Sequence, residues 1–388
     1  MEQTRMDAVY LDHAATTPLD PRVVEAMLPY LYEHFGNPSS MYGVGRTGRA
    51  AIDRAREEVA GAIGARPTEV IFTSGGTESD NAAIKGVAMA RRNEGNHIIT
   101  AATEHHAVLH TCEWLERLGF ETTALPVDRH GRVDPDEVER AIRPTTTLIT
   151  LMYANNEIGT LHPLAAIGRV ARRRGVTFHT DAVQAGGALP IDVDALGVDL
   201  LSLSAHKFYG PKGSGVLYVR RGVPWLPQQP GGGQERGRRS GTENTAGIVG
   251  LATALRLSVE SMENTVQHCA RLRDRLHDGL AREIPDVSLN GHPTERLPNN
   301  LNLSFRGVEG ESLLLNLDMH GIAASSGSAC TAGSLDPSHV LTAIGLPREL
   351  AQGSLRLTVG RGTTDAHVDR ALAVLPAIVT KLRSLTTV

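Results

Sequence analysis

Between Glu69 and Val219 the sequence alternates short apolar runs with longer amphipathic ones, and this alternation restricts the possible folds more than any other feature. Strand-like segments at 70–73, 97–100, 120–125, 147–152, 176–180, 198–203 and 215–219 are mostly separated by helix-like segments. Those helices are expected at 77–92, 107–118 and 164–174, with another opening at Asp134, Pro135 and Glu137 with the features of a capping box. Strands that alternate with helices build a mostly parallel sheet covered by helices on both faces. The fold class is therefore α/β, with a large domain built on a mostly parallel seven-stranded sheet. Ligands bind such sheets beyond the carboxyl ends of the strands. Polar residues at those ends carry the functional reading.

The flanks read differently. A short strand at 9–11 leads into the polar turn Asp12-His13-Ala14-Ala15-Thr16-Thr17-Pro18. Asp20 as cap and Pro21 at the first position start a helix expected to run to about residue 35. A second helix is expected over 47–64, with Ile52, Ala55, Val59 and Ile63 on one face. After Val219 a glycine and arginine loop at 231–242 precedes helices from about 246 to 284. Strand-like pieces at 300–305, 322–324 and 354–358 and a final helix at 365–385 follow. The expected division is a large domain at 15–259 and a smaller α+β domain formed by 1–14 and 260–388.

A formal net charge of −4 argues against a general nucleic-acid or membrane-surface binder. The basic run Arg172-Arg173-Arg174 sits at a helix end, where cations complement the dipole. Three cysteines without a CxxC pair give neither a disulfide framework nor a zinc site, and no metal is expected. No stretch approaches the roughly 18 apolar residues of a membrane span, and the first residues carry no apolar leader. The expected location is the cytoplasm.

The apolar run at 198–203 closes on Ser204-Ala205-His206-Lys207 and then a Gly/Pro turn. A partly desolvated lysine at such a strand end is a usable amine nucleophile for a carbonyl, whereas a surface loop would leave it an ordinary cation. The turn Thr73-Ser74-Gly75-Gly76-Thr77-Glu78 lies between a strand and a helix, where free N–H groups can cradle a phosphate. Glycines there can equally serve a tight turn alone. Asp181 closes another strand and could keep a heterocyclic nitrogen protonated, with Gln184 in reach of the same ligand. Lysine, aspartate and a glycine-rich helix start together point to pyridoxal 5'-phosphate. His105 could lie flat on its ring or simply pack at a helix start.

Cys330 stands in the small-residue run Ser325-Ser326-Gly327-Ser328-Ala329-Cys330-Thr331, where a thiol near a cationic site would be a capable nucleophile. Cys112 and Cys269 fall inside helical patterns and are expected to pack as small hydrophobes. Arg356, between Leu355 and Leu357, is a candidate clamp for a carboxylate.

With these residues together, the chain resembles the cysteine desulfurases of the NifS/IscS class, fold-type I pyridoxal phosphate enzymes of the class-V aminotransferase family. The resemblance runs nearly end to end, through Thr103-Glu104-His105-His106-Ala107-Val108, Asn155-Asn156-Glu157-Ile158-Gly159, Asp181-Ala182-Val183-Gln184, Ser204-Ala205-His206-Lys207 and the Cys330 run. It implies that Lys207 holds the cofactor and moves protons, His105 stacks on the ring, Asp181 pairs with the ring nitrogen and Gln184 contacts the phenolic oxygen. It implies a phosphate site of Gly76, Thr77, Ser204 and His206, completed by Thr242 from the other subunit of a homodimer. Arg356 and Asn156 would take the carboxylate of L-cysteine, and Cys330 would take its sulfur as a persulfide, releasing L-alanine.

The implied partner is a sulfur-acceptor protein, most commonly in this class serving iron–sulfur cluster assembly, otherwise tRNA thiolation or DNA sulfur modification. His106 departs from the lysine expected in close relatives of the housekeeping enzyme, and the chain is expected to lack their longer C-terminal tail. Two enzymatic alternatives share the scaffold, a selenocysteine lyase and a class-V aminotransferase; the latter has no need of a thiol at 330. A non-catalytic sulfur-relay or scaffold protein would not require Lys207, Asp181 and Arg356 together.

Overall fold

The computed structural model describes residues 8–327 and 337–386. β1 (Val9–Tyr10) enters the turn at 12–18, and α1 (Pro21–Met27) begins as the sequence indicates. Asp20 accepts from the Arg22 backbone N–H, and Pro21 fills the first turn. The expected single helix is instead two, because α2 (Pro29–Tyr32) restarts at a proline that has no N–H to continue the ladder of α1. α3 (Gly43–Ile63) starts before the expected residue 47 and stops at Gly64, whose φ of 71° is the left-handed value that glycine tolerates.

The alternating region follows in order: β2 (Val70–Thr73), α4 (Gly76–Ala90), β3 (His97–Ala101), α5 (His106–Glu116), β4 (Glu121–Leu125) and α6 (Pro135–Ala141). It continues with β5 (Thr146–Thr150), α7 (Leu164–Arg174), β6 (Thr177–Asp181), α8 (Val193–Leu196), β7 (Leu200–Ser204) and β8 (Gly215–Val219). They form one seven-stranded sheet in the order β2-β8-β7-β6-β5-β3-β4. β4, β3, β5, β6 and β7 run parallel, and β8 runs antiparallel to both its neighbours. A parallel return needs a crossover of about a dozen or more residues. The connection at 205–214 is shorter than that, so β8 has to come back antiparallel.

Every residue of β2, β3, β5, β6, β7 and β8 is buried, as expected of strands covered on both faces, while the edge strand β4 is half exposed. Ile52, Phe72, Phe178, Leu201 and Tyr218 belong to the core on one face. Ile84, Ile98, Val108, Leu148 and Leu217 belong to the core on the other.

Beyond the sheet lie α9 (Thr245–Glu260), α10 (Met262–Glu283), β9 (Val287–Asn290), β10 (Asn300–Phe305), α11 (Gly310–Met319) and β11 (Ile322–Ala323). The remaining elements are α12 (His339–Ala343), α13 (Arg348–Gln352), β12 (Ser354–Thr358) and α14 (Asp365–Thr386). β12, β10 and β9 form an antiparallel sheet, and β11 pairs in parallel with β1. Val9 and Leu11 pack in a separate core with Leu276, Leu303, Phe305, Leu357 and Leu375. The first strand thus belongs with the last ones. Among the described residues no helix is long and apolar enough to cross a membrane.

Candidate active site

The ends of the parallel strands β3, β5, β6 and β7 and the antiparallel sheet converge on one cavity of about 380 Å³. β7 ends at Ser204, and one turn of 3-10 helix then presents Lys207. The Lys207 ammonium donates to the carbonyls of Ala14 (2.6 Å) and Ala15 (2.8 Å). Gln184 Nε2 donates to the same Ala14 carbonyl at 3.0 Å. The turn carrying these carbonyls is fixed from behind, because Ala14 N–H donates to Thr358 Oγ1 at 2.9 Å and Thr17 N–H donates to the His206 carbonyl at 2.9 Å.

β6 delivers Asp181, which is buried and accepts from the Val183 backbone N–H at 2.9 Å. Burial raises its pKa, while the neighbouring His105 and Lys207 act against the rise. His105 caps α5, its Nδ1 accepting from Ala107 N–H at 3.1 Å, so the neutral ring carries its proton on Nε2. Burial lowers the His105 pKa, opposed by Asp181 and reinforced by Lys207.

The start of α4 opens into the same cavity through Gly76 and Thr77. Glycine is required here by contact. A Cβ on Gly76 would lie 2.6 Å from Val183 Cγ2, and one on Gly215 of β8 would lie 2.6 Å from the Gly75 Cα. Strand β8 therefore presses directly on the turn that frees the helix N–H groups. Ser204 and His206 stand alongside; burial first, then Lys207 and Lys212, push the His206 pKa down to about 4.

Arg356 of β12 also lines the cavity and is almost fully buried. Its guanidinium pairs with Asp12 at 2.7 Å and donates to the carbonyls of Asn156 (2.9 Å) and Gly327 (3.4 Å). Its Nε has no partner among the described residues. Gly76, Thr77, His105, Asn156, Asp181, Gln184, Ser204, His206, Lys207 and Arg356 thus all line one cavity. Thr242 does not: it is exposed on the loop before α9. Cys330 lies outside the described residues, although Gly327 and His339 on either side of it line the cavity. No group of three or more metal-ligating side chains occurs among the described residues.

The family model for "Aminotransferase class-V" matches residues 9–371. The chain belongs to the class-V aminotransferase family.

Within that family it is 58% identical over 382 residues to a protein of Methanosarcina thermophila named "Cysteine desulfurase IscS", covering 98% of this chain and 94% of the relative. A protein of the same name from Dictyoglomus turgidum is 55% identical over 377 residues, covering 97% of this chain and 96% of the relative. Among solved structures a "NIFS-LIKE PROTEIN" superposes with a TM-score of 0.89 at 38% identity, covering 98% of this chain and 99% of that one. A structure described as "SspA in complex with cysteine" does so with a TM-score of 0.81 at 39% identity, covering 92% and 99%. The mixed α/β architecture and the resemblance drawn from the motifs are both borne out.

This class-V aminotransferase fold also places residues that sequence reasoning did not single out in the cavity lining or behind it. Asp80 of α4 lines it, its pKa raised well above the carboxylate range by burial and then by Asp181. Its Oδ1 lies 3.7 Å from His179 Nε2. Glu104 is fully buried, accepts from Met152 N–H at 2.9 Å through one oxygen, and has no partner among the described residues for the other. Glu104 stands inside a quoted motif, so an acid beside an apolar strand was visible. That it is buried was not. Asp12 looked like part of a polar turn, and nothing local reveals its partner.

Proposed function

We propose that this chain is a pyridoxal phosphate-dependent cysteine desulfurase that takes sulfur from L-cysteine, releases L-alanine and passes persulfide sulfur to an acceptor. The observation that carries the reading is the convergence of Lys207, Asp181, the first turn of α4 and Arg356 on one cavity. The residues fit the cofactor in three respects. At the Gly75-Gly76 turn a Cβ on Gly76 would collide with Val183, and the start of α4 leaves helix N–H groups for a phosphate. Asp181 is a buried carboxylate able to pair with a protonated ring nitrogen. Arg356 keeps an unpartnered Nε for a carboxylate.

When bound, the cofactor supplies the electron sink that makes carbon–sulfur cleavage feasible. Lys207 is the residue for covalent attachment and for moving protons afterwards, its amine held by two carbonyls until it is engaged. Neutral His105 lies beside Asp181 and would cover the ring, and Gln184 would contact the phenolic oxygen. Gly76, Thr77, Ser204 and His206 would hold the phosphate, with Thr242 supplied by a second copy. Arg356 and Asn156 orient the substrate carboxylate. The Cys330 thiolate attacks the substrate sulfur. A sulfur–sulfur bond forms, the carbon–sulfur bond breaks with its electron pair going to carbon, and protonation of that carbon completes alanine.

Homodimerisation is supported by an apolar surface around α2, where Leu31, Tyr32, Phe35, Met41 and Tyr42 are exposed, Met41 to 90%. Separate cores support division into a large domain at 15–259 and a smaller one formed by 1–14 and 260–388. The reading places the enzyme in the cytoplasm and its persulfide on an acceptor protein, with iron–sulfur cluster assembly favoured over tRNA thiolation and DNA sulfur modification. Purified protein should be yellow and form alanine from cysteine, and Lys207→Ala should do neither. A wild type that stays colourless and inactive after cofactor is added would sink this reading.

A further inference from the structure

The loop that ends in Thr242 is held to the sheet by a buried ion pair with no place in the chemistry above. Arg56 of α3 and Glu235 meet in a two-pronged contact of 2.7 and 2.6 Å, and their side chains are 4% and 3% exposed. Both also grip the free edge of β2, the outermost strand: Arg56 donates to the Val70 carbonyl at 2.8 Å, and Glu235 accepts from Phe72 N–H at 3.0 Å. Glu235 and Arg236 adopt φ values of 48° and 59°, a conformation that non-glycine residues avoid unless contacts enforce it. The Glu235 contacts supply that enforcement.

The shape set at Glu235 is carried along the loop. Gln234 Oε1 accepts from Gly241 N–H at 3.1 Å, Ser240 Oγ donates to the Gly232 carbonyl at 2.7 Å, and Gln229 Nε2 donates to the Ser240 carbonyl at 2.8 Å. Arg239 adds a second tie, to Glu78 in the first turn of α4, at 2.8 Å. Thr242 follows directly, exposed and away from its own cavity. A loop fixed this firmly to one protomer while presenting its end outward is built to serve something outside that protomer.

We propose that Arg56 and Glu235 are positioning residues for the cofactor site of a second copy, acting through Thr242. This rests on the reading that Thr242 completes a phosphate site in trans. The test measures affinity for pyridoxal phosphate in refilled apoprotein, from the absorbance of the lysine-bound cofactor. Glu235→Gln keeps an acceptor for Phe72 N–H but leaves the buried Arg56 charge without its anion. Arg56→Met/Glu235→Gln removes both charges and guards against simple unfolding. Each variant, like Thr242→Ala, should bind the cofactor at least about tenfold more weakly.

Heterodimers of each variant chain with a Lys207→Ala chain, isolated through two different tags, decide between action in trans and in cis. The one site that keeps Lys207 is then served by a wild-type loop, and wild-type affinity should return. Weak binding that persists in the heterodimer, or Glu235 variants that bind normally, would overturn the proposal. Failure of both Glu235 variants to fold as dimers would overturn it too, assigning the pair to stability alone. Normal binding by Thr242→Ala in a protein that binds cofactor would remove the trans reading itself.

Discussion

Asp12 and Arg356 stand 344 residues apart in the chain and 2.7 Å apart in the fold, with Arg356 lining the cavity that also holds Lys207. The pair fixes the plane of the guanidinium while leaving its Nε available. Lysine cannot reproduce a planar fork. Arg356→Lys should raise the KM for cysteine by about ten- to a hundredfold, with a smaller change in kcat. Asp12→Asn should raise KM less, because it keeps Arg356 and loses only its orientation. Steady-state alanine formation measures both, and an unchanged KM in Arg356→Lys would remove Arg356 from the substrate site.

The contact of Gly215 with Gly75 offers a test of the phosphate turn that touches no polar group. Gly215→Ala sets a Cβ against backbone, which cannot swing aside as a side chain could. Overpacking of this kind costs about 1–3 kcal/mol, read as a lower thermal midpoint. Cofactor affinity should fall with it, since the displaced backbone is the turn that opens α4. A normal affinity would mean that the turn tolerates movement.

Sulfur should travel through Cys330 and not through the other thiols. Burial pushes the Cys112 thiol up to about 12 and the Cys269 thiol up to about 11, leaving almost no thiolate at neutral pH. Cys330→Ala should still bind cysteine but acquire no persulfide, whereas Cys112→Ala should acquire it normally. Thiol-specific labelling followed by mass spectrometry reads the position directly. Persulfide on the Cys330→Ala protein would refute the assignment.

Stability should fall on the acid side because of two buried histidines. Burial takes His162 down to about 4 and His179 down to about 3, against an ordinary value of 6.5. The unfolded chain therefore takes up protons that the folded chain refuses. Stability present above pH 6.5 is lost as pH falls, down to about 4 for His162 and about 3 for His179, each pKa unit weighing about 1.4 kcal/mol. Glu104 acts with the opposite sign. Its pKa is raised well above 4.5 by burial, so its contribution is complete below 4.5 and is lost as pH rises through the raised value. His179→Gln should flatten the acid limb of a midpoint-against-pH curve, and Glu104→Gln the alkaline limb. Parallel curves for all three proteins would contradict the assignment.

Much of this was legible in the residues because the chemistry sits at strand ends, and strand ends show as the place where an apolar run stops. Ser204-Ala205-His206-Lys207 and Asp181 are of that kind. The reversed direction of β8 was not stated in advance, although the short 205–214 connection allows nothing else. Three other features depend on distant partners. Asp12 has meaning only beside Arg356, Glu104 only once its burial is known, and Glu235 only once Arg56 arrives from α3. The break between α1 and α2 was a different omission, since Pro29 was in plain view.

The placement of Val9 and Leu11 among the C-terminal strands sets the order in which this protein can be finished during synthesis. A ribosome delivers the seven-stranded sheet, with Asp181 and Lys207 already on it, while the first strand still lacks its neighbours. Asp12 waits for Arg356 until β12 has emerged, and Ala14 waits for Thr358. Amine and acid are thus in hand early, and the wall that would receive a carboxylate closes only when nearly the whole chain exists.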